Sequence, residues 1–284
     1  LFTRKKYNFK SILLKIFKKI ILSIFNFQYL IKIWHKNKKQ LSKKEIVIIS
    51  HFVNLNHLNS KEDFYFGNLE KILKKMNKPY YKLMINHTRY SSSYLNSKIK
   101  QKNSIILDKN LNLKIESKIL FKKIISVFHL IFLLLNKKLN FKRFFTLIIS
   151  LFDSSTSFSI RIHYQIKDYI KKIKPNHCIL TYEGYPWERM CINGIKRTNQ
   201  NIQCIGYQHA PVTHNHRAIF NHMNGSFNPD KIWCSQIKSL EILKQRIHSK
   251  IRKNIFFVGN FTKITTKKFN INNKNFFLVI PEGI

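Results

Sequence analysis

The first half of the chain alternates short apolar runs with segments of helical periodicity. Three runs rich in Ile, Val, Leu and Tyr predict buried strands at residues 45–50, 81–85 and 104–107. Between the first two runs, apolar side chains recur at helical spacing, which predicts a helix over about 63–77. A strand–helix–strand succession of this kind favours a parallel sheet covered by helices.

The second half repeats this rhythm more regularly. Strands are predicted at 177–182, 202–207, 231–234 and 255–258. Helices are predicted between them, over 158–173 (ended by Pro175), 187–195 and 235–247, the last with Ser235 as its N-cap. The pattern as a whole predicts an α/β fold with a Rossmann-like parallel sheet flanked by helices.

A helical insertion is predicted between the two halves, at about 111–152. This segment is rich in Lys, Leu, Ile and Phe and predicts two helices. Its longest uncharged apolar piece, 124–135, has only twelve residues. Because that length is too short to span a bilayer, we expect a buried helix there.

Both ends of the chain differ from this central pattern. Residues 1–40 form a basic, amphipathic segment, whose part 11–34 is typical either of a helix lying on a membrane surface or of a packed helix with a solvated lysine face. At the other end, 260–275 predicts a linker, and 276–284 predicts the first strand of a second Rossmann-like domain. The first domain is then predicted at 41–259. We expect a chain truncated at both ends, because it starts without Met and stops directly after a strand.

The composition excludes several classes of protein. Of 284 residues, 44% are apolar, which excludes disorder as the main state. Four cysteines without a Cys-x-x-Cys pair exclude a secreted disulfide scaffold. The formal net charge is +39, but only nine of the 52 basic residues are Arg, and the lysines are spread throughout. A nucleic-acid partner is therefore disfavoured, whereas an anionic membrane surface or a phosphorylated substrate fits this charge.

The scarce residue types concentrate in one part of the chain. Six of the seven glycines and all four cysteines follow residue 174. In a chain whose composition drifts toward Lys, Asn and Ile, such residues mark places where geometry resists replacement. The densest place is 181–189, where a predicted strand gives way to a helix. Ligands of open α/β sheets bind outside the carboxyl ends of the strands, so this loop is a candidate site.

Two strand ends supply candidate catalytic groups. Glu183 precedes the helix and is not needed to cap it, so it is either a general base that accepts a hydroxyl proton or a structural hydrogen-bond acceptor. Glu188 lies in the first helical turn, where a capping carboxylate is the favoured interpretation. Gln208 and His209 directly follow another strand, and they share the cleft of Glu183 if the two strands are neighbours.

Three further histidines, His214, His216 and His222, follow His209 closely. They suggest a metal site only weakly, since no Cys or carboxylate lies at zinc-ligand spacing. The favoured interpretation is a polar loop that closes over a ligand. The sequence has no P-loop, no Gly-x-Gly-x-x-Gly and no Asp-x-Asp pair.

An ordered series of segments resembles the GT-B glycosyltransferases that build bacterial capsule or O-antigen. The segments are 182–188 (YEGYPWE), 205–209 (IGYQH), 228–235 (NPDKIWCS), 258–259 (VG) and 278–284 (LVIPEGI). An earlier stretch, 62–69 (EDFYFGNL), is similar to the family's Phe-x-Trp-Gly-x-Leu, with Phe66 where the family often has Trp. The resemblance covers about 45–284 and is strongest from 178 to 235.

The resemblance implies two Rossmann-like domains that face a cleft, with the acceptor on the first and a nucleotide-sugar on the second. It implies sugar transfer without a bound metal or other cofactor, to a surface polysaccharide or lipid-linked glycan, in the cytoplasm or at the inner face of the membrane. Glu183 would be the base and His209 the second candidate for that role. The candidate substrate-binding residues are Gln208, Tyr185, Glu188, Arg189, Ser235 and Gly283.

A different class remains open beside the enzyme. The fragment is alternatively a non-catalytic glycan-assembly or binding module that kept the fold but lost its donor domain. An RNA-binding protein is disfavoured, because no aromatic and basic recognition motif is present.

Overall fold

A computed structural model describes residues 43–261 apart from 59, 61, 102, 109, 110 and 224. Its centre is a seven-stranded sheet in which every neighbouring pair is parallel. The strands are β1 (Ile46–Phe52), β2 (Tyr80–Asn86), β3 (Ser104–Ile106), β4 (His177–Thr181), β5 (Gln203–Gln208), β6 (Lys231–Cys234) and β7 (Ile255–Phe257). This confirms the predicted α/β class and the Rossmann-like sheet.

Helices connect the strands and cover both faces of the sheet. They are α1 (Leu69–Lys75), α2 (Ser92–Lys98), α3 (Leu113–Leu135), α4 (Phe141–Leu151), α5 (Ser154–Ile173), α6 (Pro186–Lys196), α7 (Arg217–Phe220), α8 (Ile237–Arg246) and α9 (Ser249–Arg252), with a short 3₁₀ helix at Leu55–Leu58. Among the described helices, none has the length and apolar character needed to cross a bilayer.

The strands are apolar on both faces because both faces are covered. In β1, Val47 and Ile49 belong to one buried cluster, while Ile46 and Ile48 belong to another on the opposite face. Successive side chains of a strand point to opposite faces, so a continuous Ile/Val run fills two layers at once. Each such side chain, when fully buried, contributes about 1.5–3 kcal/mol to stability.

The strand order sets the place of a ligand site. The order is β3-β2-β1-β4-β5-β6-β7, so the chain builds outward in one direction from β1 and then in the other from β4. The order therefore reverses between β1 and β4, where Ile46 lies opposite His177. In open α/β sheets this reversal leaves a crevice at the carboxyl ends of the two strands.

Local signals explain most helix ends, and two expectations need correction. α5 ends at Lys174, whose φ is 50°, directly before Pro175, as the sequence predicts. The prediction of Ser235 as an N-cap is wrong, because α8 starts at Ile237 and Gln236 occupies the cap position. The helix predicted from residue 63 starts only at Leu69, since residues 63–68 form a turn in which Gly67 has a φ of 45°.

The predicted helical insertion is present as α3 and α4. α3 is held to α5 by a salt bridge between Glu116 and Arg161, with 2.7 Å between Oε1 and Nε. The Lys123 ammonium donates to Ser157 Oγ over 2.6 Å. The expectation of a buried helix at 124–135 is wrong for the described structure, because none of these twelve residues is buried and the buried residues of α3 all precede them. The basic segment 1–40 and the strand 276–284 lie outside the described residues.

Candidate functional site

The carboxyl ends of β4 and β5 bring together the two residues predicted to be catalytic. Glu183 follows β4 and His209 follows β5, and these strands pair in parallel. Glu183 Oε1 lies 3.9 Å from His209 Nε2, and the two side chains are 24% and 26% exposed. The prediction that the two side chains emerge side by side from neighbouring parallel strands is therefore confirmed.

A tight turn presents Glu183 to this cleft. Gly184 has a φ of 84°, and a Cβ at this position would lie 2.4 Å from the Ala218 carbonyl oxygen. Glycine alone fits both the backbone conformation and the space. The turn packs directly against the segment around α7, which fixes the direction of the Glu183 side chain.

Glu188 stabilises the same turn from behind. Its Oε2 accepts hydrogen bonds from the backbone N–H groups of Glu183 and Tyr185, each over 2.8 Å. The side chain is 1% exposed, and this burial raises the pKa of Glu188 to about 8 against the opposing effect of the backbone donors. The capping interpretation of Glu188 is confirmed, and its side chain is buried against the turn that carries Glu183.

Arg189 also has a structural place. Its guanidinium donates to the carbonyl oxygens of Gly184, Ala218 and Asn221 and to Asn228 Oδ1, over 2.6–2.9 Å. The residue is 4% exposed. The arginine therefore clamps the Glu183 turn to residues 218–228, and its donors are used within the protein.

Gln208 and His209 carry polar atoms without partners among the described residues. Gln208 Oε1 and His209 Nδ1 are both buried and make no hydrogen bond there. An unpaired buried polar atom costs about 1–3 kcal/mol, so the fold loses stability at both positions. Gln208 lines a small pocket together with Glu183, Pro211 and His216.

Ser235 and Tyr185 support this cleft in different ways. Ser235 Oγ donates to the His209 carbonyl oxygen over 3.0 Å, which holds the backbone that carries the imidazole. Tyr185 is 46% exposed at the rim, and the Glu183 carboxylate raises the pKa of its hydroxyl. Gly283, the last predicted site residue, lies outside the described residues.

A pair of histidines that the sequence did not single out completes the site. His51 Nδ1 lies 2.8 Å from His87 Nε2, and His51 Nε2 lies 2.9 Å from Thr181 Oγ1. Burial, with smaller contributions from His87 and His209, lowers the pKa of His51 to about 3. His51 is therefore neutral at physiological pH, and its hydrogen bonds join β2, β1 and β4 across the crevice.

The signal for these histidines was available in the sequence. His51 follows the predicted strand 45–50 and His87 follows shortly after the predicted strand 81–85. Both occupy the same type of strand-end position as His209. Their meeting depends on strand order, which a single sequence does not give.

Tyr65 forms the wall opposite Glu183. Its ring meets the His209 imidazole edge-on, with centroids 4.7 Å apart, and lies 4.9 Å from the His51 ring. The turn that carries it is held by Asp63, whose Oδ1 accepts from the backbone N–H of Tyr65 over 2.9 Å and from Ser50 Oγ over 2.8 Å. Burial raises the pKa of Tyr65, and the Glu183 carboxylate adds to this rise.

The three histidines after His209 have separate uses. His216 Nδ1 accepts from the Thr213 N–H over 3.0 Å, and the His214 carbonyl accepts from Arg246 over 2.7 Å. His222 stacks on His248. Within the described ranges, no group of three or more His, Cys, Asp or Glu side chains is arranged to hold a metal ion.

Comparison with known proteins gives no family to which the chain can be assigned. No protein-family model matches it, and a search of curated proteins returns no significant match.

Proposed function

We propose that this chain belongs to a glycosyltransferase that moves a sugar from a nucleotide-sugar donor to a surface polysaccharide or lipid-linked glycan. The observation that carries the proposal is the Glu183–His209 pair, 3.9 Å apart at the carboxyl ends of two adjacent strands. Ligands of open α/β sheets bind at this edge. A partly exposed carboxylate in this position can reach a bound hydroxyl group.

Glu183 is the proposed general base. It accepts the proton of an acceptor hydroxyl, whose oxygen then forms a bond to the anomeric carbon of the donor sugar. The bond from that carbon to the phosphate oxygen breaks, and the nucleotide leaves with the electron pair. His209 lies within reach of the same hydroxyl and is the second candidate for the base or for a contact to donor phosphate.

The neighbouring residues fit the binding of a sugar. Gln208 lines a small pocket next to Glu183, where its side chain can shape the space for a sugar. Tyr185 is exposed at the rim, where its ring can pack on a sugar face. Glu188 and Arg189 support these groups from below rather than touching substrate. The strong positive charge of the chain favours a phosphorylated donor.

Glu183→Gln tests this proposal, with Glu241→Gln as the matched control. Glu241 is an exposed carboxylate on α8 that pairs with Lys238 over 3.2 Å, away from the cleft. Transfer of labelled sugar from a panel of nucleotide-sugars to a membrane glycan extract is measured for each variant in the full-length protein, because the resemblance places the donor on the second domain. We expect Glu183→Gln to lower turnover by about 10²–10⁴-fold, while Glu241→Gln retains full activity.

The same assay separates the enzyme from the binding module. Unchanged turnover in Glu183→Gln would remove Glu183 from the mechanism. Glycan binding by the wild-type protein without any transfer would instead identify a non-catalytic module.

A further inference from the structure

α3 exposes a continuous apolar stripe. From residue 121 onward, seven large apolar side chains of this helix are 37–75% exposed: Phe121, Ile124, Ile125, Phe128, Ile131, Phe132 and Leu135. Their spacing of three or four residues places them on one face of the helix. At 1.5 Å per residue the stripe is about 20 Å long. Exposed apolar patches of this kind mark an interaction surface.

The opposite side of α3 is already used by the fold. Ile119 is 3% exposed, Glu116 pairs with Arg161, and Lys123 bonds to Ser157. The inward face is thus fixed on α5, and the stripe points away from the described core. Phe141 at the start of α4 is also 67% exposed.

Basic side chains lie at both ends of this stripe. Lys114 precedes it and Lys137, Lys138, Lys142 and Arg143 follow it, all exposed, whereas the ammonium groups of Lys118 and Lys122 lie over the Tyr164 ring of α5. The segment 113–143 contains one acidic residue, Glu116, and that carboxylate is paired. An apolar band bordered by lysines is the pattern of a helix lying in a membrane interface.

We propose that the α3–α4 hairpin docks on the surface of an anionic phospholipid bilayer. The apolar stripe would enter the boundary between headgroups and acyl chains, and the basic groups would contact lipid phosphates. Charge decides between the possible occupants. A second copy of this chain brings the same lysines and a net charge of +39, and the segment 11–34 is also basic. Electrostatic repulsion disfavours docking of a second copy and of the segment 11–34. An anionic bilayer has the opposite charge to the hairpin. The proposal does not depend on sugar transfer.

Vesicle co-sedimentation tests the docking surface. The probes are vesicles of phosphatidylcholine alone and of phosphatidylglycerol with phosphatidylcholine in about a 1:3 ratio. We expect the whole chain to bind the anionic vesicles, and the triple variant Phe121→Ser, Phe128→Ser, Phe132→Ser to bind more than about tenfold less. The control is Met76→Ser with Ile237→Ser, which changes side chains that are 61% and 59% exposed elsewhere.

Two charge-reversal variants test the basic residues that follow the apolar stripe. Lys137→Glu, Lys138→Glu and Lys142→Glu should lower binding to anionic vesicles by more than about tenfold. The control reverses three exposed lysines away from the hairpin, Lys74, Lys75 and Lys171, and so changes the net charge equally. Equal losses in the two variants would show that net charge alone causes binding and would overturn the assignment of this surface.

A polarity-sensitive dye gives a measurement that does not depend on a destabilising variant. All four native cysteines are buried. A thiol-reactive dye can therefore label the cysteine of Leu135→Cys selectively while the protein is folded. We expect its fluorescence to increase and shift to the blue on anionic vesicles, with no change for a label at Met76→Cys. An unchanged signal at position 135, or a wild-type dimer that dissociates in the triple-Ser variant without any vesicle binding, would contradict the proposal.

Discussion

Two regions of this protein break the usual distribution of side chains in opposite ways. At the crevice between β1 and β4, polar and ionisable groups are packed together and largely buried. Along α3, large apolar side chains point outward, with Phe128 66% and Leu135 75% exposed. The sheet between them follows the ordinary rule, with apolar residues inside.

Neither region adds much to the stability of the fold. Unpaired buried polar atoms such as Gln208 Oε1 and His209 Nδ1 cost stability, and exposed apolar side chains contribute little to it. Departures of this kind are typical of functional surfaces, because the rest of the fold has to compensate for them. The crevice suits a polar ligand, and the hairpin suits an apolar surface.

The largest stability effect is expected at the turn that builds the crevice. Gly184→Ala adds a left-handed strain and a clash with the Ala218 carbonyl, and should lower the free energy of unfolding by about 3–6 kcal/mol. Gly259→Ala is the matched control, since Gly259 has a φ of 74° and no atom of the described residues lies within 4 Å of the Cβ that the substitution would add. Its cost should be limited to strain of about 1–3 kcal/mol. Urea denaturation measures both, and equal losses would show that the close approach at Gly184 is unimportant.

A second pair of substitutions separates the core from the hairpin. Ile166→Ala removes a fully buried side chain of α5 and should cost about 2–5 kcal/mol. Phe128→Ala removes a larger but exposed side chain and should change the free energy of unfolding by less than about 0.5 kcal/mol. A large loss for Phe128→Ala would mean that the stripe is covered within the protein.

The pH dependence of stability sharpens the electrostatic side of the comparison. His51 has a pKa of about 3 in the folded state, against an ordinary value of 6.5, and the groups that face it are His87 and His209. As pH falls below 6.5, the unfolded chain binds a proton at this site before the folded chain does, so stability decreases. The slope due to His51 should reach about 1.4 kcal/mol per pH unit.

Urea denaturation between pH 4 and pH 7 measures this slope for the wild type and for His51→Gln. The variant should lose less stability on acidification than the wild type. Ile237→Gln, which changes an exposed side chain without a titratable group, should keep the wild-type slope. If His51→Gln also keeps the wild-type slope, the inference that His51 is buried as a neutral imidazole is wrong.

The sequence predicts the sheet better than the site. Runs such as 177–182 and 231–234 are apolar on both faces. Such a run predicts a buried strand whichever way it pairs with its neighbours. All seven strands of the sheet were therefore predicted. Glu183 and His209 stand out in the sequence because rare residue types surround them, and the structure shows that they lie close together. His51 and His87 were missed because their contact depends on which strands are neighbours.

The helix boundaries and the hairpin show a second limit. Ser235 looks like an N-cap in sequence, but its hydroxyl bonds to the His209 carbonyl, and the helix starts two residues later. The periodicity of α3 predicts a helix with one apolar face. It does not say whether that face is covered, since covering depends on how distant segments pack.

The most direct test of the central claim is the NMR titration of His209 in the wild type and in Glu183→Gln. Burial lowers the pKa of His209, and the Glu183 carboxylate raises it in opposition. If the two side chains share one crevice, removing the carboxylate charge should lower the pKa of His209 further, while Glu241→Gln leaves it unchanged. Identical His209 titration curves in the wild type and Glu183→Gln would contradict the shared crevice on which the account depends.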